Sequence, residues 1–324
     1  MNLPLRTDSA FHPAVPEPRD TGHLEVGDGH RIWWEEIGSH TGVPVVVVHG
    51  GPGGCIRPYY RRLINPHSHR GIFFDQRGCG RSRPRGALTN NTTRHLIADM
   101  ERLRTALRIS KWVVVGGSWG STLALAYAET HPEHLLALVV SGVFLARDVD
   151  RRWLWQDARA VFPEVYHERD AVLPPDERAD PLSAFSRRIF DDDRERAIEA
   201  ASHLAAAQGQ TLDLMPSPEP EPPPRFDDND LADARINLHY ETNAYFLEEG
   251  QLLREAARLQ GIPGAIIAGR ADMCTPPLGA WDLARAWPDA RLSIVAAAGH
   301  RWNDEVLGRV IVPEIERLAG TAGR

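Results

Sequence analysis

Apolar positions along the chain fall into two kinds of pattern. Six short runs are apolar with almost no interruption: Val45 to Val48, Ile72 to Phe74, Trp112 to Val115, Leu138 to Val140, Ala265 to Ile267 and Leu292 to Val295. Runs of this length without polar alternation predict strands covered on both faces, as in a parallel sheet. Between them, Leu96, Ile97, Met100, Leu103 and Leu107 recur at helical spacing behind the capping-rich Asn90-Asn91-Thr92-Thr93. Thr122 to Thr130, Gly279 to Ala286 and Glu305 to Leu318 read as further helices. Leu24 to Ile37 alternates around Gly27-Asp28-Gly29 and predicts two strands joined by a tight turn. Strand and helix alternate from 45 to 143 and again from 262 to 319. That order predicts an α/β fold, a mostly parallel, doubly wound sheet.

The alternation breaks between about 144 and 245. This stretch carries helical patches, many acids and arginines, and the proline-rich run Pro216 to Pro224, which suits a stiff extended linker. It reads as a helical cap inserted into the sheet domain. The expected division is a first core part over 1–143, a cap over 144–245 and a second core part over 246–324. Residues 1–22 read as a loose arm.

Composition narrows the chemistry. The 324 residues are 42% hydrophobic and 25% charged, with a formal net charge of −7. An acidic balance without a basic stripe argues against a nucleic-acid partner. Lys111 is the one lysine in the chain, and it precedes a strand, a poor place for a Schiff-base amine. Cys55, Cys79 and Cys274 form no paired or metal spacing, and the histidines show no ligand spacing, so no metal and no cofactor is expected. Sparse cysteines, no secretory signal and no run of 18 apolar residues predict a cytoplasmic protein without a membrane partner.

The candidate chemistry starts at Gly116-Gly117-Ser118-Trp119-Gly120, which fits G-x-S-x-G between a strand and a helix. A sharp strand-to-helix turn holds the central serine in a strained conformation at the positive end of the helix and requires small neighbours. A serine hydroxyl needs a base, and the base an orienting acid. In chain order these are Asp272, in Gly269-Arg270-Ala271-Asp272, and His300, in Gly299-His300; each follows a late strand. Asp304 lies beyond the histidine and competes less well. The loop His49-Gly50-Gly51-Pro52-Gly53-Gly54 can aim amides at an oxyanion, and Gly51 and Trp119 are the expected donors. His49 reads as a structural hydrogen-bonder. The segment Asp75 to Ser82 reads as a brace for that loop.

Together, HGGPGG, DQRGCGRS, GGSWGSTLALAYAETHPE, GRADM and AGH resemble the prolyl aminopeptidase (proline iminopeptidase) family of α/β-hydrolases, from about Leu24 to the C-terminus. The resemblance implies an α/β-hydrolase fold, a helical cap, Ser118 as nucleophile with Asp272 and His300, and cofactor-free release of N-terminal proline from small peptides. It also implies cap carboxylates that hold the substrate's imino cation. At the matching places this sequence has Gln208, in Ala207-Gln208-Gly209, and Asn237, in Arg235-Ile236-Asn237. Both acids are replaced by amides, which supply no counter-charge. Tyr240 and Glu241 follow, and Glu241 can substitute. The expected pocket therefore includes Gln208, Asn237, Tyr240 and Glu241. The leading expectation is a serine hydrolase acting on a small amide or peptide, including N-terminal proline. An alternative keeps the three catalytic residues but works on a neutral or N-blocked substrate, as amidase, esterase or acyl-transferring enzyme. A non-catalytic binding module is the third.

Overall fold

In a computed structural model describing residues 11–12, 15–214, 226–302 and 305–322, eight strands form one sheet. They are β1 (Asp20–Gly27), β2 (His30–Gly38), β3 (Val43–Val48), β4 (His69–Phe74), β5 (Trp112–Gly117), β6 (Leu135–Ser141), β7 (Gly264–Gly269) and β8 (Ala290–Val295). The order across the sheet is β1-β2-β4-β3-β5-β6-β7-β8. β1 and β2 pair antiparallel, as do β2 and β4; every other neighbouring pair is parallel. The proline-rich run 216–224 and Asp304 lie outside the described residues.

The helices are α1 (Thr93–Ala106), α2 (Trp119–Thr130), α3 (Asp148–Trp155), α4 (Pro163–Ala171), α5 (Pro181–Ile189), α6 (Arg194–Gln210), α7 (Asp228–Thr242), α8 (Gln251–Arg254), α9 (Leu278–Ala286) and α10 (Glu305–Ala322). The continuous apolar strands have a direct structural cause. Successive strand residues point to opposite faces, and both faces are covered. Val46 and Val48 join Leu96 and Met100 of α1, Leu123 of α2 and Leu283 of α9. Val45 and Val47 join Leu307, Ile311 and Ile315 of α10. Val45 to Val48 are all fully buried, and each such side chain is worth about 1.5–3 kcal/mol relative to exposure.

Helices α3 to α7 follow one another between β6 and β7. Trp155 of α3, Phe185 of α5, Leu204 of α6 and Leu238 of α7 meet in an apolar cluster separate from the two sheet faces. α5 and α6 bury a stripe in this cluster, while α7 also sends Ile236 and Tyr240 into the core on the sheet face. α7 starts from Asp227, whose carboxylate accepts from the Asn229 and Asp230 amides at 2.7 and 3.1 Å. That cap satisfies two of the free helix-start N–H groups and sets the rotational register of the helix.

Register at the sheet's centre positions the site. Val48 pairs with Gly116, so β3 and β5 end side by side, and the loops that leave them meet. In an open α/β sheet this carboxyl-end crevice is where ligands bind.

Candidate active site

Ser118 stands between β5 and α2 with φ 56° and ψ −131°, a left-handed backbone that a non-glycine residue adopts only where its surroundings force it. The surroundings do so. The Ser118 amide donates to Ser141 O at 3.0 Å, and Ser118 O accepts from the Ser121 amide and hydroxyl at 2.8 and 2.6 Å. A Cβ on Gly120 would collide with Val48 O, so the turn closes only with glycine there. The His49–Gly54 loop abuts the serine: a Cβ on Gly50 would sit 3.3 Å from Ser118 Cβ. Trp119 is the first residue of α2, so its amide belongs to the helix-start donors without an intrahelical acceptor.

The segment after β4 holds that loop. His49 is fully buried; its Nδ1 donates to Gly50 O at 2.8 Å while Nε2 accepts from the Gln76 amide at 3.0 Å. Burial holds its pKa below the ordinary histidine value. Gln76 donates to His49 O at 2.9 Å and accepts from Trp119 Nε1 at 2.9 Å, tying both loops together. Asp75 accepts from the Ile56 and Arg81 amides at 2.8 Å each. These are positioning contacts, and they leave His49 no free lone pair for proton transfer.

Asp272 follows β7 and His300 follows β8. His300 Nδ1 donates to Asp272 Oδ2 at 2.9 Å, which leaves the Nε2 lone pair free to accept a proton. Asp272 is fully buried and accepts from the Thr275 amide at 2.7 Å and hydroxyl at 2.8 Å. Burial alone would lower the His300 pKa; the adjacent Asp272 carboxylate overrides it and lifts the imidazole well above 6.5. Ser118 and His300 line one cavity of about 1020 Å³, together with Gly51, Trp119, Gln208 and Asn237.

Among the other residues expected in the pocket, Glu241 lines the cavity. It is 3% exposed, and burial raises its pKa above 4.5. Tyr245 donates to Oε1 at 2.6 Å. Oε2 accepts no hydrogen bond among the described residues, with Arg151 Nε 3.7 Å away. Tyr240 is not among the described cavity-lining residues. It is buried beneath the site, its ring centroid 5.0 Å from that of Trp119 and its hydroxyl donated to Asn91 Oδ1 at 2.9 Å.

Two residues of the site escaped sequence reasoning. Thr275 carried a signal: a hydroxyl three residues after an aspartate is a familiar turn pairing. Asp213 carried none, being 87 residues from its partner. Its Oδ1 accepts from the His300 amide at 2.5 Å and its Oδ2 from Arg301 Nε at 3.1 Å. A Cβ on Gly299 would collide with that carboxylate. Asp213 also bridges to Asp272 in antiparallel fashion, so the segment after α6 touches both loops that bear His300 and Asp272.

Glu101, His131 and His134 bring ligand atoms within 4.8 Å of one another. Arg104 donates to both Glu101 oxygens at 2.8 Å and Tyr127 donates at 2.6 Å. A guanidinium thus already holds the place a cation would take.

A sheet of this topology, with Ser118 at a strained strand-to-helix turn and a buried Asp–His pair at the same cavity, defines the α/β-hydrolase class. A model of the alpha/beta hydrolase fold matches residues 43–304, and the chain belongs to that family. Its nearer kin are narrower. A proline iminopeptidase of Xylella fastidiosa (strain Temecula1 / ATCC 700964) is 47% identical over 291 residues, 87% of this chain and 91% of that one. A proline iminopeptidase of Arabidopsis thaliana is 40% identical over 310 residues, 95% of this chain and 82% of that one. The chain belongs to the proline iminopeptidase family and is a hydrolase. The solved structure of proline iminopeptidase from Mycobacterium smegmatis shares the fold: TM-score 0.57 at 21% identity, over 94% of this chain and 100% of that one.

Proposed function

We propose that this hydrolase releases N-terminal proline from small peptides through an acyl-enzyme on Ser118. His300 Nε2 takes the Ser118 proton as Oγ attacks the carbonyl; Asp272 holds the imidazole in the needed tautomer and stabilises the imidazolium. The Gly51 and Trp119 amides take the oxyanion. His300 then returns the proton to the leaving amine, and water repeats the sequence to free the acid. No step calls on a cofactor. Residues 1–143 and 246–324 form the catalytic core in this reading, and 144–245 the cap.

The choice of a free imino substrate rests on one observation: a buried carboxylate, Glu241, lines the cavity of Ser118, and its Oε2 accepts no hydrogen bond among the described residues, with Arg151 Nε 3.7 Å away. A buried acid in that state favours a cation. Gln208 and Asn237, also on the cavity wall, hydrogen-bond without supplying charge.

The test is a paired assay on proline 4-nitroanilide, its N-acetyl counterpart and an aryl ester. The expected result is preference for the free imino compound and loss of at least about a thousandfold in kcat for Ser118→Ala. Glu241→Gln should raise KM for that compound about ten- to hundredfold. Preference for the blocked amide or the ester would turn the assignment to a neutral substrate.

A further inference from the structure

Another wall of the cavity carries a cation. Arg169, on α4, is 5% exposed, yet it lines the same cavity as Ser118 and His300. Its guanidinium lies 4.5 Å from the Tyr166 ring centroid and 5.6 Å from that of Trp155. Nε donates to Asp170 Oδ1 at 2.7 Å and Nη1 to Trp155 O at 3.1 Å. Nη2 makes no hydrogen bond to any described group; Asp170 Oδ1 is 2.7 Å away but is aligned with the Nε–H. Asp170 is shared with Arg159 at 3.2 Å. Two guanidinium groups therefore share one carboxylate. A buried charged donor without an acceptor is costly, and a planar guanidinium is shaped to take a carboxylate.

We propose that Arg169 is a carboxylate subsite of the active-site cavity, and that the preferred substrates are short peptides with a free carboxylate beyond the scissile bond. This rests on the proline-releasing reading above. The cavity then sorts charge along the substrate. Glu241 takes the N-terminal ammonium, and Arg169 takes an anion on the leaving-group side. At about 1020 Å³ the cavity lies at the top of the usual range for a small-molecule site and has room for residues past the proline. The carboxylate comes from the peptide's C-terminus or from an acidic side chain, and both present the same group to the guanidinium.

Two matched pairs separate these sources: prolyl-glycine against prolyl-glycinamide, and prolyl-glutamyl amide against prolyl-glutaminyl amide. Proline 4-nitroanilide serves as reference in the same assay. The expected result is a kcat/KM ratio of about ten- to hundredfold in favour of the acid in at least one pair. The first pair points to the C-terminus, the second to the side chain. Arg169→Met should bring the ratio close to one, and Arg169→Lys should keep part of it. Where Arg169→Met fails to fold by circular dichroism, Arg169→Gln repeats the test, and the wild-type ratios need no variant at all. Equal turnover of acid and amide in both pairs overturns the proposal. So does a ratio that survives in Arg169→Met, which would assign the effect to another cation on the wall. Loss of all turnover, the nitroanilide included, overturns the reading beneath it and this inference with it.

Discussion

The His300 imidazole is the side chain whose ionisation the site controls most directly. Its pKa stands well above 6.5 because the Asp272 carboxylate outweighs the opposing effect of burial. As the proposed base, His300 works only when neutral, so activity should be lost as pH falls through that raised value. Asp272→Asn removes the raising charge and leaves burial, which lowers. The acid limb of kcat/KM should therefore move to lower pH, while kcat falls about 10³–10⁴-fold because the tautomer is no longer held; a pH–rate profile of the variant checks both. Asp213 acts one step removed, through the His300 amide. Asp213→Ala leaves that amide without its acceptor and should lower kcat about tenfold with little change in KM. Asp213→Asn keeps an acceptor and should recover most of kcat, which a general loss of stability would not.

α7 shows how an element can move a charge without changing its face. Asp230, Asp233, Asn237 and Glu241 all line the cavity, at helical spacings of three and four residues. In the proposed function, the acid expected at Asn237 is offered one turn later, by Glu241. If position along this face is what matters, Asn237→Glu added to Glu241→Gln should restore the KM for proline 4-nitroanilide that the single variant loses. No recovery would mean that the two positions do not serve one amine. Asp233 resembles Glu241 in that burial lifts its pKa, here to about 6, against the pull of Arg85. The strand-to-helix turn at Ser118 was readable from G-x-S-x-G alone, since its small neighbours follow from the turn itself. The face that α7 turns to the cavity was not readable, because its buried residues Leu231, Ile236, Leu238 and Tyr240 spread around the helix and give no single apolar stripe until its packing partners are known.

Across the molecule, Glu129 near the end of α2 is a buried acid outside the site. It is 4% exposed, and neither oxygen accepts a hydrogen bond among the described residues. Burial, then Glu255, pushes its pKa up to about 9, and the negative end of the helix acts in the same direction. In the unfolded chain the same carboxyl ionises near 4.3. Between these values the unfolded state binds fewer protons than the native one, so stability declines as pH rises. Glu129→Gln should remove this slope, with a gain in Tm over wild type that is small at pH 5 and grows towards pH 8, about 2–4 °C per kcal/mol. A gain independent of pH would show that the acid does not titrate there. The sheet, the serine turn and the positions of Asp272 and His300 were legible in the sequence. Each depends on local pattern: continuous apolar runs, glycines at a tight turn, and polar residues where late strands end. Tyr240 buried beneath Trp119, Asp213 at the His300 amide and Arg169 in the cavity wall were settled only by tertiary structure. Those contacts join segments whose spacing in the chain carries no period, and burial and partners exist only after the cap has packed on the sheet.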